Sequence, residues 1–473
     1  MNLQRFKIVL TINRWLEIYS GSILKKDLQA GLTVGVMLIP QCMAYAVIAG
    51  LPPVYGLYAS LLPLLVYPFF GTSRHIALGV VALDMIIIAE GVGRIAAPGS
   101  QEYISLIFIL ALLVGLMQVI MSWARLGFLV NYLSRPVIVG FTSAAAVIII
   151  FGQSGNLLGI DIERSSFLAD IIGQLLSKAG SSNLLSLLIG GGSVILILIF
   201  KFWKPLFPKA LAVIIIATAL SFLLDLPSQG IETTGRIPPG LPPVRPPLVS
   251  MSALRQLFST AVTLALVQFM TVVSLGRTYA ARHRYSIDSN RELFALGISN
   301  IFNSLIRGMP VSASFSRSAV NEQAGSRTPI SNIFAGLMVF ITLLFLTPAF
   351  EYLPTAALAA IIITAAINLV DVDSLKWLLR TKRRDGLIAL FTFAITLVIG
   401  IQEGILIGIA VSLLALLYRQ SRPNVAELGH LPGTRSFKDL KRFAEADKIE
   451  KIMILRIDAS FSFTNAEFFK DYI

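Results

Sequence analysis

The sequence predicts an all-α polytopic membrane protein of fourteen transmembrane segments in a 7+7 inverted repeat, followed by the start of a soluble α/β domain. Three observations carry this. Of 473 residues, 55% are hydrophobic and only 14% charged, with a mean hydropathy of +0.78, and a soluble chain of this size needs far more charged surface. Apolar runs near the ~20 residues that a bilayer requires recur along the chain. Basic residues also cluster in alternate connections. Lys201, Lys204 and Lys209, then Arg282, Arg284 and Arg291, then Lys376, Arg380, Lys382, Arg383 and Arg384 fall on one side. The other side holds few, such as Arg94, Arg164 and Arg236. This asymmetry is the positive-inside pattern. It accounts for the net charge of +13 and the pI near 9.9 and excludes nucleic acid as a partner.

Residues 1–27 read as an amphipathic cytoplasmic segment. Arg5, Lys7, Arg14 and Glu17 interrupt any signal-like apolar core. The first span covers 30–49 and is expected to break at Pro40, which has no N–H to continue a helical ladder. Spans two to five follow at 54–70, 76–92, 104–123 and 136–152; the third is short and interrupted by Gly79. A polar stretch at 161–182 suits a loop with a surface helix, and spans six and seven occupy 184–202 and 210–224. The Pro- and Gly-rich connector 227–247 has no periodicity and reads as an extended ordered cover. Seven further segments lie at 257–279, 293–306, 311–321, 330–349, 356–370, 387–400 and 405–418, giving a transmembrane region of 28–420. An even count places both termini in the cytoplasm, and a seven-span unit inverts its successor. Residues 424–473 are polar; 449–458 suits a buried strand and 465–472 the start of a helix, too little chain to close a core of its own.

Chemistry concentrates in residues 308–318 (GMPVSASFSRS). Pro310 and the period-two serines 312, 314, 316 and 318 predict strand-like backbone rather than a continuous helix. Arg317 then places a permanent cation at a depth where insertion costs roughly 2.5–3.5 kcal/mol. Irregular polar backbone at that depth is tolerated where it is buried in protein or lines a wet cavity. Under the inverted repeat, span ten matches span three, whose start at 79–82 (GVVA) is likewise non-helical. Paired interrupted segments in corresponding positions are the sequence pointer to a transporter site. Two facing helix N-termini, each carrying about half a positive charge, form an anion cradle, to which Arg317 and the hydroxyls of Ser314 and Ser316 contribute. The alternatives remain open: small residues also serve close helix packing, and an arginine at a helix end can snorkel or pair with a carboxylate.

Several stretches resemble the sulfate permease (SulP) anion-transporter family, the group that includes prestin and pendrin. They are 40–46 (PQCMAYA), 50–60 (GLPPVYGLYAS), 70–75 (FGTSRH), 235–242 (GRIPPGLP), 292–300 (ELFALGISN), 310–321 and 324–329 (AGSRTP), in matching order and spacing from about residue 25 onward. The tail, including 463–467 (FTNAE), resembles the beginning of that family's cytoplasmic STAS domain, which makes 424–473 a partial STAS domain. The resemblance implies a core domain of spans 1–4 and 8–11 that moves as an elevator against a dimerised gate of spans 5–7 and 12–14, in the plasma membrane of a bacterium. It implies an anion site between the N-termini of spans three and ten. Carried over by motif, Gln41 and Tyr45, then Val81 and Ala82, then Ser314, Phe315, Ser316 and Arg317 line it. Gln41 also suits a plain interhelical hydrogen bond.

One departure matters. Many members carry a glutamate in span eight, suited to proton coupling, and the matching position here is Thr271, which cannot titrate. Asp84, just inside span three, is the other candidate for coupling. It could pair with Arg317, replace the missing proton site, or simply favour the helix dipole while facing away from the ligand. The expected ligand is a small inorganic or organic anion of the sulfate, bicarbonate, chloride or dicarboxylate class, and no cofactor is implied. The rivals are an uncoupled channel or electromotile protein on the same scaffold, and a nucleobase permease of the related 7+7 fold, which calls for carboxylates where Thr271 and Arg317 stand. Nothing suggests an enzyme: there is no P-loop or nucleophile elbow, and His75, His283 and His430 lack metal-ligand spacing. The lone cysteine, Cys42, rules out an intramolecular disulfide.

Overall fold

The computed structural model describes residues 15, 17, 19–131, 135–163, 165, 167–203, 208–235, 237–461 and 464–472. Expectations resting on Arg5, Lys7, Arg14, Arg164, Lys204, Arg236 and Phe463 lie outside them. Eight helical stretches among the described residues are long and apolar enough to cross a membrane, and two shorter apolar helices accompany them.

The first half runs α1 (Gly21–Ile48), α2 (Val54–Phe70), β1 (Leu78–Gly79), α3 (Ala82–Gly93), α4 (Gln101–Trp123), α5 (Arg135–Leu158), α6 (Leu168–Lys178), α7 (Leu184–Trp203) and α8 (Lys209–Leu223). The second repeats the order: α9 (Met251–Arg282), α10 (Ser289–Leu305), β2 (Ser312–Ala313), α11 (Phe315–Gln323), α12 (Ser331–Ile341), α13 (Thr355–Ile367), α14 (Val372–Thr381), α15 (Arg383–Ile399) and α16 (Ile401–Ser421). In each half the third segment is a two-residue strand leading into a short helix. In each, an amphipathic helix (α6 or α14) follows the fifth span. The two strands pair antiparallel, Leu78 opposite Ala313 and Gly79 opposite Ser312, the relation that two inverted copies of one segment must have. Helix α12 continues through a π turn, Thr342–Leu346, and a 3-10 turn, Thr347–Phe350.

Two expectations about local breaks are corrected. Helix α1 passes through Pro40 without interruption. Proline removes a single N–H, and residues 38–46 are buried on every face, so neighbouring helices hold the ladder on either side of it. The serine alternation is strand only at Ser312 and Ala313. Ser314 already caps α11, its Oγ accepting from the Arg317 N–H at 3.4 Å, so Ser316 and Ser318 are helical. The segment at 372–381, expected as loop, is a helix with an apolar stripe, capped by Asp371.

Helices α1–α4 pack with α9–α12, while α5 packs on α13 and α15, and α13 on α7. At the α4–α10 crossing two glycines face each other. A Cβ on Gly115 would meet the Gly297 carbonyl at 2.7 Å, and one on Gly297 would meet the Gly115 carbonyl at 2.8 Å. The connector is extended and tied to the second half: Thr234, Gly240 and Arg245 donate backbone N–H groups to the carbonyls of Leu353, Leu343 and Leu305.

Residues 409–473 form a separate unit. Strand β3 (Val425–His430) lies between β4 (Phe437–Asp439) and β5 (Ile454–Ile457), antiparallel to both, and α17 (Ala466–Tyr472) follows. The strand expected over 449–458 is confined to those four residues of β5.

Candidate anion site

Helix α3 begins at Ala82 behind Val81, which is extended (φ −127°, ψ 134°) and offers no side-chain cap. The first-turn amides of α3 are therefore left without a capping side chain. Helix α11 begins at Phe315 behind Ser314. The β1–β2 pair brings these two starts together, and further bonds clamp them. Ser314 N–H donates to the Ala77 carbonyl at 3.1 Å, and Ser318 Oγ accepts from the Ala77 N–H at 3.0 Å. Asn321 and Asn332 donate side-chain amides to the His75 and Ile76 carbonyls at 3.1 and 2.8 Å.

Arg317 sits at this junction with 0% exposure. Its Nη2 donates to the Val80 carbonyl at 2.9 Å and its Nη1 to Gln41 Oε1 at 3.3 Å, while its Nε has no hydrogen-bond partner among the described residues. Gly79 makes room for it. At φ +146° Gly79 occupies backbone that L side chains rarely adopt, and a Cβ there would lie 3.1 Å from Nη2. Among the described residues no carboxylate forms an ion pair with Arg317, so the groups it touches directly are dipoles. A buried cation left in that state is a binding site for negative charge or a severe destabilisation.

Of the residues singled out from the sequence, Gln41 touches the guanidinium and is buried; Tyr45, on the same helix α1 one turn later, is buried and within electrostatic reach of it. Val81 and Ala82 form the start of α3. Phe315 is 50% exposed and Ser316 is exposed, so the first turn of α11 faces open space beside the buried arginine. Ser316 Oγ lies 3.3 Å from Ser314 Oγ. Thr271 does not join this group; its hydroxyl donates to its own helix, to the Val267 carbonyl at 2.9 Å. Asp84 is buried in the first turn of α3 and accepts from Gln268 Nε2 at 2.9 Å, turning to α9 rather than bonding Arg317.

Sequence reasoning missed what lies behind Asp84. Gln118 Nε2 donates to Gln268 Oε1 at 2.9 Å; Asn300 Nδ2 donates to Gln118 Oε1 at 3.0 Å and to Gln268 Oε1 at 3.1 Å; and the Val311 N–H donates to Asn300 Oδ1 at 2.8 Å. All three amides are fully buried. The chain of donors runs from the backbone ahead of β2 to the carboxylate inside α3. A polar amide inside each of three apolar spans was the available signal, since such groups are buried only with partners. A second missed cluster lies at the other end of α3. Glu90 Oε2 accepts the first N–H groups of α16, from Ile401 at 3.0 Å and Gln402 at 3.1 Å, and Arg94 pairs with both Glu90 and Glu403.

Comparison with known proteins agrees with this architecture. Residues 24–392 match the model of the sulfate permease family. The chain is 39% identical over 469 residues to the chloroplastic sulfate transporter 4.1 of Arabidopsis thaliana, covering 97% of this chain and 68% of that protein. It is 35% identical over 452 residues to a probable sulfate transporter of Mycobacterium tuberculosis, covering 96% and 80%. Among solved structures, the murine Solute Carrier 26 family member A9 anion transporter in the inward-facing state superposes with a TM-score of 0.89 at 25% identity, covering 100% of this chain and 81% of that one. The transmembrane domain of the cyanobacterium bicarbonate transporter BicA shares the fold, with a TM-score of 0.71 at 19% identity over 84% of this chain and 98% of that one. A multi-pass helical membrane protein with two inverted broken segments around a buried arginine, matched by this family over most of its length, is an anion transporter: the chain belongs to the sulfate permease family.

Proposed function

We propose that this protein is a secondary anion transporter that holds its substrate between the first turns of α3 and α11 and carries it across by an elevator movement of the core against the gate. The observation that carries the reading is Arg317, fully buried, without a carboxylate partner, beside two helix starts. Gln41, Tyr45, Val81, Ala82, Ser314, Phe315 and Ser316 complete the lining. The amides of the two first turns and the guanidinium supply positive potential, the hydroxyls supply directional donors, and Phe315 supplies an apolar wall. The substrate class is sulfate, bicarbonate, chloride or dicarboxylate; the sulfate transporters among the relatives favour sulfate. Thr271 in place of a span-eight carboxylate favours exchange or uncoupled movement over proton symport through that position.

In this reading the α5, α7, α8, α13, α15 and α16 group forms a gate through which two copies dimerise, residues 424–473 belong to a STAS domain, and both termini are cytoplasmic in a bacterial inner membrane. The chloroplastic sulfate transporter among the relatives supports a plastid membrane as the alternative location. The test is uptake of a radiolabelled anion panel into proteoliposomes, with and without a pH gradient. Saturable uptake of an anion that is lost in Arg317→Ala supports the site. Undiminished affinity in that variant places the substrate elsewhere, and non-saturating flux favours a channel.

A further inference from the structure

We propose that Asp84 sets the valence of the anion this transporter accepts: ionised, it favours monovalent anions; protonated, it favours divalent ones. The inference rests on the pocket proposed above. Asp84 lies within the first turn of α3, the same turn whose amides face that pocket, and is 2% exposed. It is near enough to Arg317 for each to feel the other's charge, yet the carboxylate is held by Gln268 at 2.9 Å and makes no ion pair with the guanidinium. Its charge is therefore present in the site without neutralising the arginine by contact. The amide chain explains why it stays there. Val311 N–H donates to Asn300, Asn300 to Gln118 and Gln268 (and back to the Val311 carbonyl at 3.4 Å), Gln118 to Gln268, and Gln268 to Asp84, so the forward chain ends on an acceptor.

The other groups around the carboxylate do not substitute for it. Gln268 of α9 bonds the carboxylate and Arg317 of α11 lies within range of its charge; Gln118 of α4 reaches it only through Gln268, and Cys42 and Tyr45 of α1, both buried, interact with Arg317. Helix α5, which also packs on α3, has a single charged residue, Arg135, at its start. On α3 itself Glu90 lies at the far end, held by Arg94 and the N–H groups of α16. Asp84 is thus the one carboxylate among these neighbours whose charge adds to that of Arg317 at the site. With Asp84 ionised, the two side-chain charges cancel and only helix dipoles attract the substrate, which suits a single negative charge. With Asp84 protonated, the net positive charge suits two. One unit charge more or less beside the site changes the preference for a divalent over a monovalent ion on the order of tenfold.

The experiment compares uptake of radiolabelled sulfate and radiolabelled chloride into proteoliposomes from mildly acidic to neutral pH, a range in which neither probe titrates. In the wild-type protein the sulfate-to-chloride ratio rises as pH falls. In Asp84→Asn, which keeps an acceptor for Gln268, the ratio at neutral pH is about tenfold higher and independent of pH. Asp84→Glu keeps the wild-type slope. A flat wild-type ratio overturns the proposal without any variant, as does an Asp84→Asn ratio that follows the wild-type curve. Arg317→Ala is measured alongside. Loss of both anions there, with no valence change in Asp84→Asn, sinks this inference alone, whereas retention of both at wild-type affinity removes the pocket itself.

Discussion

At the scale of single residues, the arginine and the glycine beneath it form one unit. Arg317 reaches Val80 because Gly79 has no side chain, and Gly79 lies at φ +146°. Gly79→Ala is expected to lower stability by about 1–3 kcal/mol through backbone strain. It should also weaken anion binding, because the new methyl displaces the guanidinium. Thermal unfolding in detergent and an anion-binding titration check the two effects. Lost stability with unchanged affinity would show that the arginine can reseat. The sequence made Arg317 legible because a cation in so apolar a region has few innocent explanations. Gln41 followed by motif. The sequence did not reveal that Asp84 turns to Gln268 rather than pairing with Arg317, since pairing depends on rotamers that no spacing encodes.

At the scale of elements, the two interrupted segments were readable from their punctuation: Gly79 ahead of one, Pro310 and the serines ahead of the other. How far each interruption extends was not. The serine alternation ends where Ser314 finds an N-cap role, and Pro40 leaves α1 whole because tertiary packing outweighs a single missing hydrogen bond. The amide chain was invisible for a related reason. Gln118, Gln268 and Asn300 sit on three helices, and a lone amide in an apolar run announces that it has a partner but not which one. Asn300→Leu removes the acceptor for Val311 N–H and the donor to both glutamines. Gln268 Oε1 keeps the bond from Gln118, but leaving Val311 N–H and Gln118 Oε1 unpaired should cost about 1–3 kcal/mol for each. The expected result is a Tm lowered by several degrees, with a disordered start of β2 visible as faster amide exchange at Val311. A Tm equal to wild type would mean that water replaces the side chain.

At the scale of the molecule, the contacts between α3 and α16 bear on movement. Glu90 caps α16 and shares Arg94 with Glu403, so any displacement of the helices around the site relative to α16 has to strip that cap. Glu90→Ala is expected to weaken this arrangement by about 1 kcal/mol, as loss of a helix cap does, and to raise turnover several-fold if breaking it limits the stroke. Turnover measured by anion exchange decides, and an unchanged rate would place the slow step elsewhere. The repeat itself was countable from hydropathy and loop charge, whereas α14 was not, because its stripe of apolar positions is shorter than a span. The small antiparallel ribbon of Leu78–Gly79 with Ser312–Ala313 has a mechanical consequence. It rivets the leading ends of α3 and α11 to each other, with Ser314, Asn321 and Asn332 as extra stitches. Prying those ends apart to free a passenger would tear backbone bonds in a dry interior. Under the elevator movement proposed above, the whole riveted cradle would travel as luggage with its handle, and exposure would change around it.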